Sequence, residues 1–187
     1  MKKKVTIISI ICVFIIAGAV LVLTGVIDIG GNKEESVQTD SKAVCWLEYM
    51  GNAVLLDKDA QVISTSSQEP ENLMKISGID VTRLVLGEKL EVSDEESLEY
   101  GMTIAVKLAG VGIPDVGEVF IASDRTATVY LRSIKILLGD SDGLTEKLEA
   151  LRKFYDKVID LDGTLDMQEV DKNNMGYTFQ KNEQTEP

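Results

Sequence analysis

Thr126–Leu138 (TATVYLRSIKILL) is the stretch from which the fold is read. Ala127, Val129 and Leu131 alternate with Thr126, Thr128 and Tyr130, the period-two pattern of a strand with one buried face. Ile134, Ile136 and Leu138 repeat it on the return, so the stretch predicts a hairpin around Arg132-Ser133. A hairpin of this kind needs a cover over its apolar face, and the flanking sequence supplies one.

Downstream, Gly139-Asp140-Ser141-Asp142-Gly143 reads as a turn and helix cap. Leu144, Leu148, Leu151, Tyr155 and Val158 then fall on one helical stripe, with Lys147, Glu149, Arg152 and Lys153 largely elsewhere. Upstream, Ser93-Asp94-Glu95-Glu96 fits a capping box with Ser93 as N-cap. The helix it opens places Leu98, Met102, Ala105, Leu108 and Ala109 on one face, and Gly110, Gly112 and Pro114 end it.

The other segments are short. Ala43–Met50, Ala53–Leu56 and Gln61–Ser64 form a meander around Gly51-Asn52 and Asp57-Lys58-Asp59-Ala60. Thr65–Asn72 is a loop, Leu73–Ile76 and Val81–Leu86 are apolar runs closed by Gly78 and Gly87, and Glu118–Ala122 is a strand. Thr164–Val170 and Met175–Gln180 are the last candidate strands. Strands outnumber two helices without strict alternation. That predicts an α+β fold, an antiparallel-rich sheet with two packed helices.

Ahead of all this runs Val5–Ile27 (VTIISIICVFIIAGAVLVLTGVI), 23 residues without a charged side chain. As a helix it would reach roughly 30 Å, the thickness of a bilayer's hydrocarbon core. Lys2, Lys3 and Lys4 precede it and Asp28 follows, which predicts a cytoplasmic N-terminus and an extracytoplasmic remainder. A cleaved secretory signal is the competing reading. The run exceeds the apolar core of a signal peptide, and Ala17-Gly18-Ala19 lies inside it instead of after it, so an uncleaved anchor is expected. The expected organisation is a basic tail (1–4), a single transmembrane helix (5–27), a flexible linker (28–42), an extracytoplasmic domain (43–180) and a polar tail (181–187).

All 31 acidic residues but only 16 of the 19 basic ones lie after Ile27, a formal charge of −15 for that part. Such a surface repels nucleic acid and anionic lipid. Cys12 lies within the expected anchor and Cys45 outside the membrane, which excludes a disulfide framework. No histidine occurs anywhere, which removes His-based triads, most catalytic zinc sites and the usual general base near neutral pH.

Several blocks in order carry a family resemblance: the Val44–Ile63 meander with its acidic turn Asp57-Lys58-Asp59, Leu73-Met74-Lys75-Ile76-Ser77-Gly78, the helix from Ser93, the hairpin reaching Leu138-Gly139, and the helix with Lys147 and Leu148. From about Val44 to Phe179 the chain resembles the β domain of the FtsQ/DivIB family of bacterial cell-division proteins. The resemblance implies a non-catalytic bitopic scaffold at the division septum, without cofactor, metal or small-molecule substrate. Its implied partners are other bitopic division proteins of the FtsB/DivIC and FtsL type. Two departures stand out. Asp28–Lys42 is too short for the POTRA module of roughly 70 residues that the family places there. Ala60 occupies a turn position where the family commonly has glycine.

The resemblance also implies partner binding at the C-terminal edge, through Met175, Tyr177, Thr178 and Phe179. Tyr177 and Phe179 lie two apart, hence on one face of the last candidate strand. A terminal strand often leaves an open edge that an extended partner segment can join. The alternative is that these aromatics close the core. Trp46 and Tyr49 read as early-strand core, with binding aromatics as the alternative.

Val158–Leu165 (VIDLDGTL) matches the nucleophile motif of haloacid-dehalogenase-type phosphohydrolases, with Asp160 attacking phosphorus and Asp162 as acid/base around Mg²⁺. That motif should end an early strand of an α/β domain, and only 22 residues follow Leu165, so a turn joining helix to strand is expected. Asp140–Gly143 and Asp160–Gly163 begin like calcium loops. Neither has glycine at position 6 or glutamate at position 12, so ordinary turn chemistry is expected.

Overall fold

The computed structural model of the protein describes residues 42–113, 116–171, 173–174 and 176–182. In chain order their elements are β1 (Cys45–Tyr49), β2 (Asn52–Leu56), β3 (Val62–Ser66), β4 (Met74–Ser77), β5 (Val81–Arg83), β6 (Glu91–Val92), α1 (Glu95–Val111), β7 (Val116–Ile121), β8 (Ala127–Leu131), β9 (Ile134–Gly139), α2 (Leu144–Val158), β10 (Gly163–Asp166) and β11 (Thr178–Lys181). Nine strands form one sheet in the order β11-β10-β9-β8-β7-β4-β1-β2-β3, and β5 pairs with β6 apart from it.

The expected fold class, a single transmembrane helix followed by an antiparallel-rich sheet, is corrected on two counts. The sheet is mixed: β1 with β4, β4 with β7 and β9 with β10 are parallel pairs. Parallel neighbours arise where the chain crosses over between strands, through α1 from β4 to β7 and through α2 from β9 to β10, instead of turning back in a hairpin. Secondly, among the described residues no helix is long and apolar enough to cross a membrane. The run Val5–Ile27 lies outside the described residues.

The register makes the sheet's two faces explicit. Phe179, Leu165, Ile136, Val129, Val119 and Ile76 lie side by side across β11, β10, β9, β8, β7 and β4. All but Phe179 are fully buried, under α1 and α2. One residue further along, Gln180, Thr164, Lys135, Tyr130, Glu118, Lys75, Trp46, Leu55 and Ser64 cross all nine strands on the opposite face. Among the described residues that face carries no helix, and Phe120 and Tyr130 on it are 38% and 37% exposed. Trp46 therefore does not join the main core, although it is buried. Its Nε1 donates to the Leu73 carbonyl at 3.1 Å, and the Lys75 ammonium sits 5.0 Å from its ring centroid.

Local chemistry fixes the ends of the elements. Asp94, not Ser93, caps α1: its Oδ1 accepts from the Glu96 and Ser97 amides at 3.1 and 3.4 Å. Arg125, in the β7–β8 turn, donates to both Asp94 carboxylate oxygens at 2.9 and 3.2 Å and ties the helix start to that turn. The Arg125 hydrogen bonds, with those from the Ser97 hydroxyl and amide, hold the Asp94 carboxyl below its ordinary range. The β8–β9 hairpin turns at Arg132-Ser133 as the alternation predicts. Ala60 stands at φ 59°, the left-handed region that explains why glycine suits this position.

The loop from β9 to α2 holds a buried polar node, built on a lysine that lies off the apolar stripe of α2. Lys147 has a side chain only 1% exposed and donates to the Asp140 carbonyl at 3.4 Å, with Asp140 Oδ1 at 3.8 Å. The Tyr100 hydroxyl of α1 reaches the same carbonyl at 2.6 Å and that of Gly139 at 3.0 Å. One loop thus pins α1 and α2 together, and Arg152 adds a bond to the Val111 carbonyl at the end of α1.

Candidate partner-binding edge

The candidate site residues fall at the last strand. Among the described residues, β11 is an end strand of the nine-stranded sheet and pairs only with β10. It is two residues shorter than expected and ends one residue later, Thr178–Lys181 instead of Met175–Gln180, and Met175 lies outside the described residues. β10 in turn stops at Asp166, where the sequence suggested a strand through Val170. Met167 and Val170 are buried, so their apolar character marks a turn tucked into the core.

The Asn182 amide donates to the Asp162 carbonyl at 3.1 Å, directly opposite it in the register. Hydrogen-bonded and non-hydrogen-bonded pairs alternate along an antiparallel ladder. Gln180 and Thr178 therefore turn their main-chain groups toward β10, and Phe179 and Lys181 turn theirs outward. Among the described residues this outer edge is unpaired, and it presents the N–H and C=O of these two residues.

The side chains divide differently. Phe179 is half-buried and packs against the core beside Leu165. Tyr177 is 43% exposed, with its ring centroid 4.2 Å from that of Phe154 on α2, tilted by 45°. The two aromatics thus lie toward the helix-bearing side, and part of their surface is already used by the fold. Thr178, Gln180 and Lys181 are exposed. Gly163 allows β11 to come this close, because a Cβ there would lie 2.3 Å from the Gln180 carbonyl oxygen and 2.7 Å from Phe179 Cζ.

Asp160 and Asp162 do not form the phosphohydrolase arrangement. The apolar residues before them are the last turn of α2, and the strand follows the motif instead of preceding it. Asp162 accepts from the Asn182 side-chain amide at 2.7 Å and so fastens the end of β11. Among the described residues no group of three or more Cys, Asp and Glu is placed to hold a metal ion. Asp140 closes an Asx turn onto the Asp142 amide at 3.0 Å, and Asp171 one onto the Asn173 and Asn174 amides at 2.6 and 2.7 Å. Those two amide bonds hold the Asp171 carboxyl below its ordinary range.

At the opposite end of the sheet, β3 is partly covered. The Val62 amide donates to the Glu88 carbonyl at 2.9 Å, and the Gly87 amide to the Val62 carbonyl at 2.8 Å. The two sheet ends therefore differ, and a strand edge open to a partner is the feature the site offers. The chain matches no family model and no curated protein.

Proposed function

We propose that this chain is a non-catalytic scaffold of the bacterial cell-division machinery, attached to the membrane through residues 5–27 and facing away from the cytoplasm at the septum. It captures other bitopic division proteins, of the FtsB/DivIC and FtsL type, by taking up a partner strand along β11. The observation that carries this reading is the terminal position of β11, with the Phe179 and Lys181 main chains turned outward. Such an edge binds an extended segment through backbone hydrogen bonds, and neighbouring pockets select its side chains. Confinement to a membrane would raise the effective concentration of two partners tethered alike. The family resemblance of the blocks between Val44 and Phe179 supports the same reading.

The decisive substitution is Lys181→Pro. It removes an outward-facing donor, and edge strands tolerate proline where the N–H faces solvent. Proline at Thr178 is a poorer probe, because that amide faces β10 and its loss would disrupt the sheet itself. The expected result is loss of partner capture in a pull-down from division-competent cells, with the thermal melting curve unchanged. Undiminished capture of the division partners by Lys181→Pro would remove the mechanism. Absence of a tagged copy from mid-cell would remove the septal assignment.

A further inference from the structure

We propose that two copies of this chain pair through the helix-free face of the sheet, about a two-fold axis that runs along β8. Phe120 and Tyr130 are diagonal neighbours on this face, at 38% and 37% exposure, and Leu137 adjoins them across Thr128. Charges flank this apolar centre unequally. On the β9 side stands Lys135, which makes no ion pair among the described residues, and on the β7 side stands Glu118.

That asymmetry selects the axis. A two-fold along β8 lays β9 of one copy over β7 of the other. Lys135 then faces the partner's Glu118, and Leu137 faces the partner's Phe120, in both directions at once. One strand further out, Asp166 on β10 faces the partner's Ser77 on β4. Tyr130 and Thr128 lie on the axis and meet their own copies. A two-fold running across the strands would instead set Lys135 on the partner's Lys135 and Glu118 on the partner's Glu118, and like charges so apposed are repulsive.

Packing and reach agree with the first axis. It keeps the strands of the two sheets in register of direction, as aligned sheet packing requires within about 30°. Seven strands, β11 through β1, overlay their counterparts about this axis; spaced about 4.8 Å apart and some 16 Å long, they give a footprint of about 500 Å² before side-chain relief, against about 800 Å² of accessible surface per partner in a standard interface. The axis also brings residue 42 of both copies to the same end of the pair. Two chains held to one membrane need that, and this last point alone rests on the attachment proposed for residues 5–27.

The test uses the full chain in detergent, with mass measured by light scattering across a dilution series. Wild type is expected to dimerise, and Lys135→Glu or Glu118→Lys alone to weaken the dimer by about tenfold or more. Mixing the two single variants, or combining both changes in one chain, should restore it, because either regenerates the opposite-charge contacts. With Cys12 replaced by serine, Tyr130→Cys should cross-link to itself in membranes under mild oxidation, whereas Lys153→Cys on the helix side should not. A monomeric wild type, a dimer indifferent to both reversals, a double exchange that fails to restore it, or a silent Tyr130→Cys would each overturn the proposal. A monomer that still captures its partner through β11 would sink this inference and leave the scaffold reading standing. A dimer that captures nothing would do the reverse.

Discussion

Leu165 and Thr164 are neighbours on β10, yet they belong to two different environments. Leu165 sits in a row of fully buried side chains beneath α1 and α2, whereas Thr164 sits in a row whose other members include Lys135, Tyr130 and Lys75. The sheet is a partition: one face holds the fold together and the other is left to meet something else. The largest expected effect tests that division directly. Leu165→Ala removes a buried leucine and leaves a cavity that rigid neighbours fill only in part, a cost of about 2–5 kcal/mol. Thr164→Ala should change stability by no more than about 0.5 kcal/mol. Urea denaturation of the two variants reads the difference, and equal losses would mean that the second face is as essential to the fold as the first.

A smaller effect is expected where the covered face is anchored at its rim. Asp94→Ala removes the cap of α1 and its bonds to Arg125 together. The midpoint of thermal unfolding should fall by a few degrees near neutral pH. Because the folded-state pKa of Asp94 is depressed, its contribution is present above the ordinary carboxylate range and is lost as pH falls through the folded value. The gap between wild type and Asp94→Ala should therefore close in acid. A gap that stays constant with pH would assign the loss to packing and not to the ionised cap.

These contrasts also show what a linear sequence can disclose. The Thr126–Leu138 hairpin was legible because alternation and turn lie within a dozen residues. The two helices were legible from their stripes, although the first begins one residue later than the capping box suggested, since Asp94 offers the same acceptor as Ser93 at the next position. The parallel pairs were not legible. They join segments separated by an entire helix or, for β1 and β4, by two other strands, and no local pattern states which strand a crossover returns beside. Trp46 is buried as expected, but it alternates with Cys45 in one strand and so packs on the face opposite the main core. The stripe pattern places Lys147 only off the apolar face, and its burial was not legible because the carbonyl that accepts its hydrogen bond belongs to a loop seven residues earlier. At the candidate edge, the terminal position of β11 was legible. The direction of its main-chain groups followed only from the Asn182–Asp162 bond.

Cys45 and Trp46 repeat the comparison within β1, and they allow a probe that leaves the described residues unchanged. The Cys45 side chain lies wholly under α1, with its thiol 3.5 Å from the Met102 sulfur. Burial, and after it the Asp57 carboxylate, raise its pKa from 9.0 to about 12. The thiolate is the reactive form, so at neutral pH this shift lowers its population roughly a thousandfold, apart from any steric exclusion. In a chain with Cys12 replaced by serine, iodoacetamide should leave Cys45 unmodified under native conditions and alkylate it once denaturant exposes the strand. Labelling should then follow opening of the covered face, and its rate should rise in Leu165→Ala and stay unchanged in Thr164→Ala. Rapid native labelling of Cys45 in the Cys12→Ser chain with no other substitution would mean that α1 does not seal β1, and the distinction between the two faces would fail at its first strand.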